Sequence, residues 1–528
     1  MPRSHLFSHL SRTLRIARWC DQQGLPTREG VERALALERR TKISRRDVIA
    51  GMGAAGALAA LPFPATAAKK RSVDVGIVGA GLAGLTCADR LRVRGTTATV
   101  YEAGTRAGGR CFSLRGFFPG QVAERGGELI DNLHKTMLGY ANAFGLAKED
   151  HEKVPGEVFY YFGGVLYDEA EVVAEYRAFT AAMRADLQRI SREPNADAFT
   201  PDDAELDRMT IAEYFDSRGA GPLIRAALGE AYVAEYGREL DEQSALNMLL
   251  FVKVDRRSRF IPFGVFSDER YHIVNGNDAI AQGIAAGLTK PVEYGMSLVR
   301  VKKLADGRIE LTFKQGAATI VRVHDVAVIT LPFSVLRTIE LHASLNLPPW
   351  KVKAIKELGY GTNAKQMVGF DGPFWRRLNS NGGSYSDLLN HQATWETNPS
   401  RATPLHAVLT DYASGDRGVG MNPANPQDEA AKFVTALDAV FPGALALATK
   451  VGDDDYLVHL EHWPSNPLSK GSYTCYEPGQ FTTIAGNEGK PIGNLFFAGE
   501  HTNSFYDAQG FMEGAAVSGI DAANNLLA

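Results

Sequence analysis

The 528-residue chain contains only four cysteines, which are far apart in the sequence. They are Cys20, Cys87, Cys111 and Cys475, and no two of them form a C-x-x-C pair. The sequence therefore predicts neither a disulfide scaffold nor a zinc site, and we expect no bound metal. It also lacks a long block of lysine and arginine, and its formal net charge is −4. Nucleic acid, which requires a basic surface, is excluded as the main partner.

Long apolar runs are also missing. No stretch reaches the roughly 18 apolar residues that cross a bilayer, so the sequence predicts no membrane span. The composition is otherwise that of an ordinary globular protein. A chain of this length exceeds what one hydrophobic core supports, and we expect two or three domains with room for a large buried cofactor.

Residues 1–68 form a basic N-terminal extension. Within it, Ser44-Arg45-Arg46-Asp47 precedes a weakly apolar stretch of small residues that reaches Ala65-Thr66-Ala67. This order resembles a twin-arginine export signal with cleavage near Ala67, which would take the folded protein to the periplasm or out of the cell. The alternative is an N-terminal pair of helices packed on the body of a cytoplasmic protein.

A glycine fingerprint begins the main part of the chain. Residues 73–78 predict a buried strand, and Gly79-x-Gly81-x-x-Gly84 predicts a tight turn into a helix over residues 82–94. A second strand over residues 97–101 leads to Glu102. This order indicates a dinucleotide site, where the glycines let the backbone approach a pyrophosphate and the Glu102 carboxylate accepts ribose hydroxyls. A glycine turn without a ligand is the alternative.

The last residues, 494–528, predict a second tight turn before a helix. Residues 495–497 suit a buried strand, Ala498-Gly499-Glu500 suits a turn, and a helix begins near Gly510. A helix N-terminus carries unpaired N–H groups and a partial positive charge. It can therefore hold an anion or stabilise negative charge that develops during a reaction.

Two paired-glycine loops lie between these segments. Gly108-Gly109-Arg110 suits a loop pressed against a dinucleotide, with Arg110 offsetting phosphate charge, and Gly126-Gly127 precedes Glu128. With the fingerprint and the C-terminal FAGE and GFMEGA segments, these loops resemble the flavin-dependent amine oxidase family, from Val73 to Leu527. The resemblance implies bound FAD. The cofactor contacts that it implies are Gly79, Gly81, Gly84, Glu102, Gly109, Arg110, Gly126, Gly127, Val299, Trp463, Gly499, Glu500, Phe511 and Met512.

The resemblance also implies the architecture. We expect an α/β fold with a discontinuous Rossmann-like FAD-binding domain over residues 69–148, 265–345 and 460–528. An interleaved α+β substrate domain over residues 149–264 and 346–459 is expected to carry an antiparallel sheet and a helical lid.

Three side chains are expected to be catalytic. Lys365 begins an otherwise apolar strand, where a lysine is costly to bury without a partner. The family places a lysine there, bound through water to the reactive flavin nitrogen. Tyr473 and Phe511 occupy the positions of the two walls of the family's aromatic sandwich. Ser472 stands where certain members carry a cysteine bonded to the flavin, so we expect noncovalent FAD.

The resemblance implies a reaction. A neutral amine between Tyr473 and Phe511 gives the hydrogen on its α-carbon to the flavin as hydride, and the imine hydrolyses. Molecular oxygen then takes the electrons and leaves as hydrogen peroxide. Two aromatic walls exclude water and orient the substrate. The helix that begins near Gly510, with N–H groups near Phe511 and Met512, would stabilise the reduced, anionic flavin.

The substrate is less clearly indicated. An L-amino acid needs a fixed cation for its carboxylate, and Arg125, with the Tyr385 hydroxyl, is the candidate. The Met-Arg pair that many L-amino acid oxidases carry is replaced by Glu128-Leu129, and Asp131 lies where polyamine oxidases can carry an acid. We expect a broad, homodimeric L-amino acid oxidase of the bacterial type that yields 2-oxo acid and ammonia. The alternatives are a primary amine or polyamine oxidase and, from another class, a non-catalytic flavoprotein.

Overall fold

The computed structural model describes residues 5–40, 73–151, 156–254, 270–452, 454–503 and 509–528. The twin-arginine segment and the cleavage site near Ala67 lie outside these residues, so export stays a prediction. Within the described parts, the fold is mixed α/β and contains two four-stranded sheets and one seven-stranded sheet.

One four-stranded sheet is parallel throughout. In spatial order its strands are Ala98–Tyr101, Val75–Val78, Val326–Ile329 and Leu495–Phe497. The strands are short and almost entirely buried, as parallel strands covered on both faces are. They come from three distant parts of the chain, which confirms the discontinuous Rossmann-like fold. The carboxyl ends of all four meet at one edge.

Two helices pack against each other beside this sheet. The dinucleotide helix (Leu82–Val93) starts directly after the first strand, and the C-terminal helix (Met512–Leu527) starts two residues after the predicted Gly510. They meet closely at Gly519, where an added Cβ would lie 2.0 Å from the carbonyl oxygen of Ala83. A glycine is needed there for the two N-termini to reach the same edge of the sheet.

The second four-stranded sheet lies beside the parallel sheet, and Phe313 of the second sheet packs on Tyr101 of the parallel one. Three strands are antiparallel, and the short edge strand runs parallel to its neighbour. In spatial order they are Ala318–His324, Ile309–Gln315, Ser297–Lys303 and Glu340–Leu341.

The seven-stranded sheet confirms the predicted antiparallel sheet, with one exception. Ser380–Ser386 runs parallel to Glu157–Phe162, and every other pair of neighbours is antiparallel. Ala364–Phe370, which carries Lys365, is buried at every position. The spatial order is Val458–His462, Ala364–Phe370, Ala407–Ala413, Ala393–Glu396, Ser380–Ser386, Glu157–Phe162 and Val165–Tyr167.

Helices cover the end of this sheet that includes Glu157–Phe162. Three of them begin with reciprocal capping boxes, in which an Asp or Thr side chain and the acid three residues later satisfy each other's backbone N–H. These caps fix where each helix starts. The helices of this layer are Glu169–Arg189, Pro201–Arg208, Ile211–Ser217, Pro222–Tyr236 and Ala245–Val254.

The N-terminal helices, His5–Gln23 and Thr27–Arg40, pack on Glu169–Arg189. Ile16 and Cys20 are fully buried in the same core as the helical layer. Arg177 forms an ion pair with Asp21 at 2.5 Å. Residues 5–40 therefore form a pair of helices packed on the body, and this arrangement does not decide between an export signal and a cytoplasmic protein.

The remaining elements are short connections. The helices are Lys135–Ala143, Asp278–Ala286, Phe333–Leu336, Pro349–Glu357, Asp416–Gly420, Pro426–Val440 and Ala444–Leu447. The 3-10 turns are Ala343–Leu345, Phe374–Leu378, Trp463–Ser465 and Glu500–Thr502. The two-stranded ribbons pair Ser113–Leu114 with Ala123–Glu124, Lys148–Asp150 with Tyr271–Ile273, and Lys450–Val451 with Asp455–Tyr456.

Candidate functional site

A cavity of about 910 Å³ runs from the carboxyl edge of the parallel sheet to the seven-stranded sheet. It joins nearly all of the residues singled out in the sequence. Of the predicted cofactor contacts, all but Gly84 line it, and so do the three predicted catalytic residues. The predicted residues on its wall are Gly79, Gly81, Glu102, Gly109, Arg110, Arg125, Gly126, Gly127, Val299, Lys365, Trp463, Tyr473, Gly499, Glu500, Phe511 and Met512.

The dinucleotide end is built by backbone that has no room for side chains. Gly79 has a φ of +107°, which favours glycine, and a Cβ at Gly84 would lie 2.0 Å from the Gly79 carbonyl oxygen. Gly84 therefore shapes the turn from behind the cavity wall. Gly81 caps the dinucleotide helix without a side chain, so the helix N–H groups face the cavity. This edge can hold a pyrophosphate.

Glu102 closes the same end. Its carboxylate accepts hydrogen bonds from the backbone N–H of Ala80 at 2.8 Å and of Gly104 at 2.7 Å. These bonds fix the carboxylate at the end of the second strand of the sheet. Each carboxylate oxygen has a second lone pair, so Glu102 can accept ribose hydroxyls as well.

Arg110 links three segments at the middle of the cavity. Its guanidinium forms an ion pair with Glu500 at 3.0 Å and also donates to the carbonyl oxygen of Ser472. The second Glu500 oxygen accepts from the Thr474 hydroxyl at 3.1 Å and from the Gly510 N–H at 3.0 Å. The paired-glycine loop, the FAGE turn and the tyrosine segment are thereby held together.

The second paired-glycine loop forms a cradle. A Cβ at Gly126 would lie 1.8 Å from the Arg110 carbonyl oxygen, and a Cβ at Gly127 would lie 2.8 Å from the Met512 side chain. The Trp463 indole donates to the Arg125 carbonyl oxygen at 2.9 Å and supports the loop from beside it. A flat ring system fits against such a surface because only backbone is exposed there.

Lys365 is buried, and its ammonium lies against this loop. Nζ donates to the carbonyl oxygens of Gly126 at 2.8 Å and Glu124 at 3.2 Å, and it pairs with the Glu128 carboxylate at 2.5 Å. The Trp395 indole donates to the other Glu128 oxygen at 2.9 Å. Burial favours the neutral acid, but Lys365 and these hydrogen bonds outweigh it and hold the pKa of Glu128 below its usual value.

Aromatic side chains enclose the end beyond Lys365. The Tyr473 hydroxyl donates to the Glu235 carbonyl oxygen at 2.6 Å and lies 3.1 Å from the Tyr412 hydroxyl. Tyr412 packs edge-on to Trp395, with ring centroids 5.4 Å apart. Phe511, which caps the C-terminal helix, also lines this end. These rings exclude water from the space beside Lys365.

The predicted substrate contacts divide into two groups. Arg125 lines the cavity, but it forms an ion pair with Glu461 and stacks over Phe112 at 4.0 Å. Tyr385 is fully buried and stacks on another tyrosine, and Asp131 is fully buried beside His134. Neither of these two is on the cavity wall, because each points into the packed interior instead.

The sequence did not reveal the roles of Glu128, Trp395, Tyr412 and Glu461. All four line the cavity. Glu128 drew notice only because it departs from the Met-Arg pattern, and the other three carry no local signal. Strand alternation places Trp395 and Tyr412 on one face of the seven-stranded sheet, but only the folded chain shows which face meets the cavity.

A second buried cluster lies outside the cavity wall. Potential metal ligands from Glu149, His151 and His272 approach within 4.8 Å of one another. However, His272 Nδ1 lies 2.7 Å from Glu149 and Nε2 lies 2.8 Å from Glu124, so both ring nitrogens already have carboxylate partners. Burial alone would lower the pKa of His272, but the two carboxylates outweigh it and raise the pKa to about 9. The cluster is a buried ion-pair network that supports the strand leading to Arg125.

None of the helices in the described parts of the chain combines the length and the apolarity that crossing a membrane requires.

The chain is similar to known proteins over most of its length. Residues 82–527 match the family model for flavin containing amine oxidoreductase. A putative L-amino-acid oxidase, YobN, from Bacillus subtilis is 24% identical over 469 residues, which is 84% of this chain and 92% of that protein. The L-amino-acid oxidase of Siganus canaliculatus is 25% identical over 479 residues, covering 86% and 85% of the two chains.

Solved structures share the fold at lower identity. Putrescine oxidase bound to putrescine is 18% identical with a TM-score of 0.71, covering 87% of this chain and 99% of that one. Cyclohexylamine oxidase from Brevibacterium oxydans is 20% identical with a TM-score of 0.72, covering 86% and 99%.

Proposed function

The chain belongs to the flavin containing amine oxidoreductase family, and we propose that it is an FAD-dependent oxidase of L-amino acids. The observation that supports this most directly is the single continuous cavity, which joins a dinucleotide-binding edge to a buried lysine and an aromatic pocket. The products would be an imino acid, hydrolysed to a 2-oxo acid and ammonia, and hydrogen peroxide.

When bound in this cavity, FAD would supply the hydride acceptor and the route of the electrons to oxygen. The dinucleotide-helix N-terminus and Glu102 would hold its pyrophosphate and ribose, and the Gly126-Gly127 cradle would face its ring. Ser472 has a buried hydroxyl that donates to Asn363 and offers no thiol for a covalent bond. We therefore propose that the FAD is noncovalent.

The chain's own residues orient the substrate. Tyr473 and Phe511 bound the end of the cavity next to Lys365, and a substrate held between flat walls needs less reorganisation to react. Both are fixed, because the Tyr473 hydroxyl is bonded to the Glu235 carbonyl oxygen and Phe511 caps a helix. The uncapped N–H groups at that helix start would stabilise negative charge on the reduced cofactor.

Arg125 is the residue that we propose for the substrate carboxylate. A carboxylate in this enclosed space requires a cation, and Arg125 presents a guanidinium on the cavity wall. It would exchange its ion pair with Glu461 for the substrate. Several relatives that align with most of this chain, among them the Siganus canaliculatus protein, are L-amino-acid oxidases, which supports the same substrate class.

A second candidate is an amine without a carboxylate. Lys365 and Arg125, the cations at the aromatic end, are already neutralised by Glu128 and Glu461. A substrate that needs no additional cation fits a site whose positive charges are already paired. In addition, two solved structures of similar fold are a putrescine oxidase and a cyclohexylamine oxidase.

Peroxide release on a panel of L-amino acids, D-amino acids, monoamines and polyamines tests the proposal. We expect turnover of L-amino acids and little turnover of the matching decarboxylated amines. In the Arg125→Gln variant, kcat/KM for L-amino acids should fall by about 10- to 100-fold, the cost of leaving a buried carboxylate without its charged partner. Turnover of only those amines that lack a carboxylate would favour the second candidate instead.

We also propose a homodimer and, from the twin-arginine segment at Arg45-Arg46, export through the twin-arginine route. Light scattering on the purified protein tests the first. Fractionation of cells with and without the Arg45-Arg46 pair tests the second, and export that does not depend on this pair would contradict it.

A further inference from the structure

Glu128 and Lys365 are the interacting charges at the centre of the cavity. Both side chains are less than a tenth exposed, and both line the cavity wall. Glu128 follows directly after Gly126-Gly127, whose missing side chains let the loop lie against Arg110 and Met512. The position of the carboxylate is therefore set by the same loop that would face the cofactor ring.

The ammonium of Lys365 has three N–H donors, and three acceptors surround it. They are the carbonyl oxygens of Glu124 and Gly126 and the carboxylate of Glu128. The lysine therefore donates to a water only by giving up one of these bonds. The Glu124 contact, at 3.2 Å, is the longest of the three and the easiest to exchange.

Glu128 itself is fixed on its other side. Its second oxygen accepts from the Trp395 indole at 2.9 Å, and Trp395 lies in the strand Ala393–Glu396 of the seven-stranded sheet. The carboxylate thus bridges the cofactor-facing loop and the substrate side of the cavity. An anion at contact distance favours the charged form of an amine, and it also offsets the field of that charge.

We propose that Glu128 is a positioning residue that acts through Lys365, keeping its ammonium charged and held against the Gly126-Gly127 loop during the reaction with oxygen. This rests on the proposed function, in that FAD must occupy the cavity. In that reaction oxygen takes two electrons from the reduced cofactor together with two protons and leaves as hydrogen peroxide. A fixed cation beside oxygen stabilises the negative charge that develops on it.

The test uses the FAD-loaded protein reduced with dithionite, so no amine substrate is involved. After mixing with oxygenated buffer, flavin absorbance gives the rate of reoxidation between pH 6 and 11. In the wild type we expect the rate to fall toward the alkaline end of this range. In Glu128→Gln the pH at which the rate falls should be lower by about one to three units, the usual effect of removing a contacting opposite charge. Glu128→Asp keeps the anion, so its rate should fall at a pH within about half a unit of the wild-type value.

Glu396→Gln is the matched control. Glu396 is a buried carboxylate that accepts from the Trp375 indole at 3.0 Å and pairs with Arg376, but it is not on the cavity wall. Its loss removes a comparable ion pair and should leave the pH dependence of reoxidation unchanged. If Glu128→Gln does not accumulate, Glu128→Ala is expected to give the same shift.

Labelling of Lys365 provides a readout that needs no turnover. Acetic anhydride reacts only with the uncharged amine, and mass spectrometry of the Lys365 peptide reports the extent. In Glu128→Gln, labelling should begin at lower pH than in the wild type and in Glu396→Gln. A reoxidation profile and a labelling profile that match those of Glu396→Gln would overturn the proposal. Failure to oxidise any amine in the peroxide screen would instead contradict the proposed function and leave these profiles interpretable.

Discussion

His272 is a single residue that makes the stability of the whole molecule depend on pH. It is fully buried between Glu124 and Glu149, and Glu149 is held in turn by Arg401 at 3.0 Å and by the Ser400 hydroxyl. A charged imidazole satisfies both carboxylates at once, whereas a neutral ring can donate to only one of them. Loss of the proton therefore removes one charge-assisted hydrogen bond from a buried carboxylate.

We predict that the contribution of His272 to stability is lost as the pH rises from neutral to about 10. The pKa of His272 is raised to about 9 in the folded protein, from an ordinary value of 6.5. A histidine whose pKa is raised by folding contributes its full stabilisation below the pKa that it has in the unfolded chain. The contribution disappears as the pH passes the pKa that it has in the folded protein. The difference between these two pKa values corresponds to about 3 kcal/mol of the free energy of unfolding. Urea unfolding at intervals from pH 6 to 10 measures it.

His272→Gln and His406→Gln separate this effect from general alkaline damage. The glutamine at 272 cannot be charged, so that variant should be less stable than the wild type at pH 6, and this difference should disappear between pH 7 and 10. His406 is exposed, and its replacement should leave the stability equal to that of the wild type across the range. A difference between the wild type and His272→Gln that stays constant from pH 6 to 10 would contradict the role given to His272.

At the scale of elements, the contact between the dinucleotide helix and the C-terminal helix controls the cofactor edge. The two helices touch at Gly519, where a Cβ would lie 2.0 Å from the Ala83 carbonyl oxygen and 2.4 Å from the Thr86 hydroxyl. The same hydroxyl donates to the Ala516 carbonyl oxygen at 2.8 Å and ties the pair together. Any side chain at 519 must push the helices apart.

Gly519→Ala should destabilise the protein by about 1–3 kcal/mol, the usual cost of overpacking, although alanine favours helix more than glycine does. It should also weaken FAD binding, since both helix N-termini line the cavity. The measurements are urea unfolding and the flavin retained after dialysis. Gly139→Ala is the control, because Gly139 lies in the helix Lys135–Ala143 with nothing within 4 Å of its added Cβ. A loss of stability as large at 139 as at 519 would remove the packing explanation.

The N-terminal helices are elements of the folded body. Leu14 and Ile16 are almost completely buried, the Thr13 hydroxyl lies 3.3 Å from that of Tyr160, and Arg18 donates to the Val252 carbonyl oxygen at 3.0 Å. The helix His5–Gln23 also contacts the strand that carries Trp395. Cleavage near Ala67 followed by loss of the N-terminal piece would therefore expose the core beneath it.

We predict that the active protein retains residues 5–40, either in one chain or as a bound fragment. Mass spectrometry of the purified enzyme should find peptides from this region in equal proportion to the rest. A version that starts at residue 68 should be insoluble or unfold at markedly lower temperature, because several buried side chains at about 2–5 kcal/mol each lose their packing. A stable and active protein that lacks residues 5–40 would contradict the prediction.

How much the sequence could predict depends on how far apart along the chain the interacting residues lie. The turn at Gly79, Gly81 and Gly84 is set by neighbouring residues, so its place and its ligand class were readable. Lys365 stood out because a cation interrupts an apolar strand. Its partner Glu128, however, is 237 positions away, and the partner of Arg125 is 336 positions away. Contacts of this kind depend on how the sheets are placed, which no local pattern encodes.

The same limit applies to Tyr385 and Asp131, two predicted substrate contacts that do not line the cavity. Tyr385 lies in a strand that is buried on both faces, so a residue count does not tell which side meets the cavity. The structure stacks it on Tyr160 at 5.7 Å instead. Asp131 follows the cofactor-facing loop in sequence, but the chain turns inward there and its carboxylate lies 3.5 Å from His134. Proximity in sequence was a poor guide at both positions.

At the scale of the whole molecule, the cavity is a seam between two parts of the fold. The parallel sheet supplies the dinucleotide end, and the seven-stranded sheet supplies Lys365, Trp395 and Tyr412. A cofactor that fills the seam contacts both parts at once. Its binding energy is therefore added to the contacts that hold the parts together, and unfolding must release it.

We predict that FAD stabilises the stripped protein more than either half of the cofactor does. Free FAD at 100 times its dissociation constant should add about 2.7 kcal/mol to the free energy of unfolding. ADP occupies only the dinucleotide edge and FMN only the ring end, so each should raise the melting temperature less than FAD, even when both are present together without the covalent link. Equal stabilisation by ADP and FAD would show that the ring does not bridge the seam.

Acid precipitation of the loaded protein should leave yellow FAD in the supernatant, since Ser472 offers no thiol. Flavin that stays with the precipitate would contradict noncovalent binding.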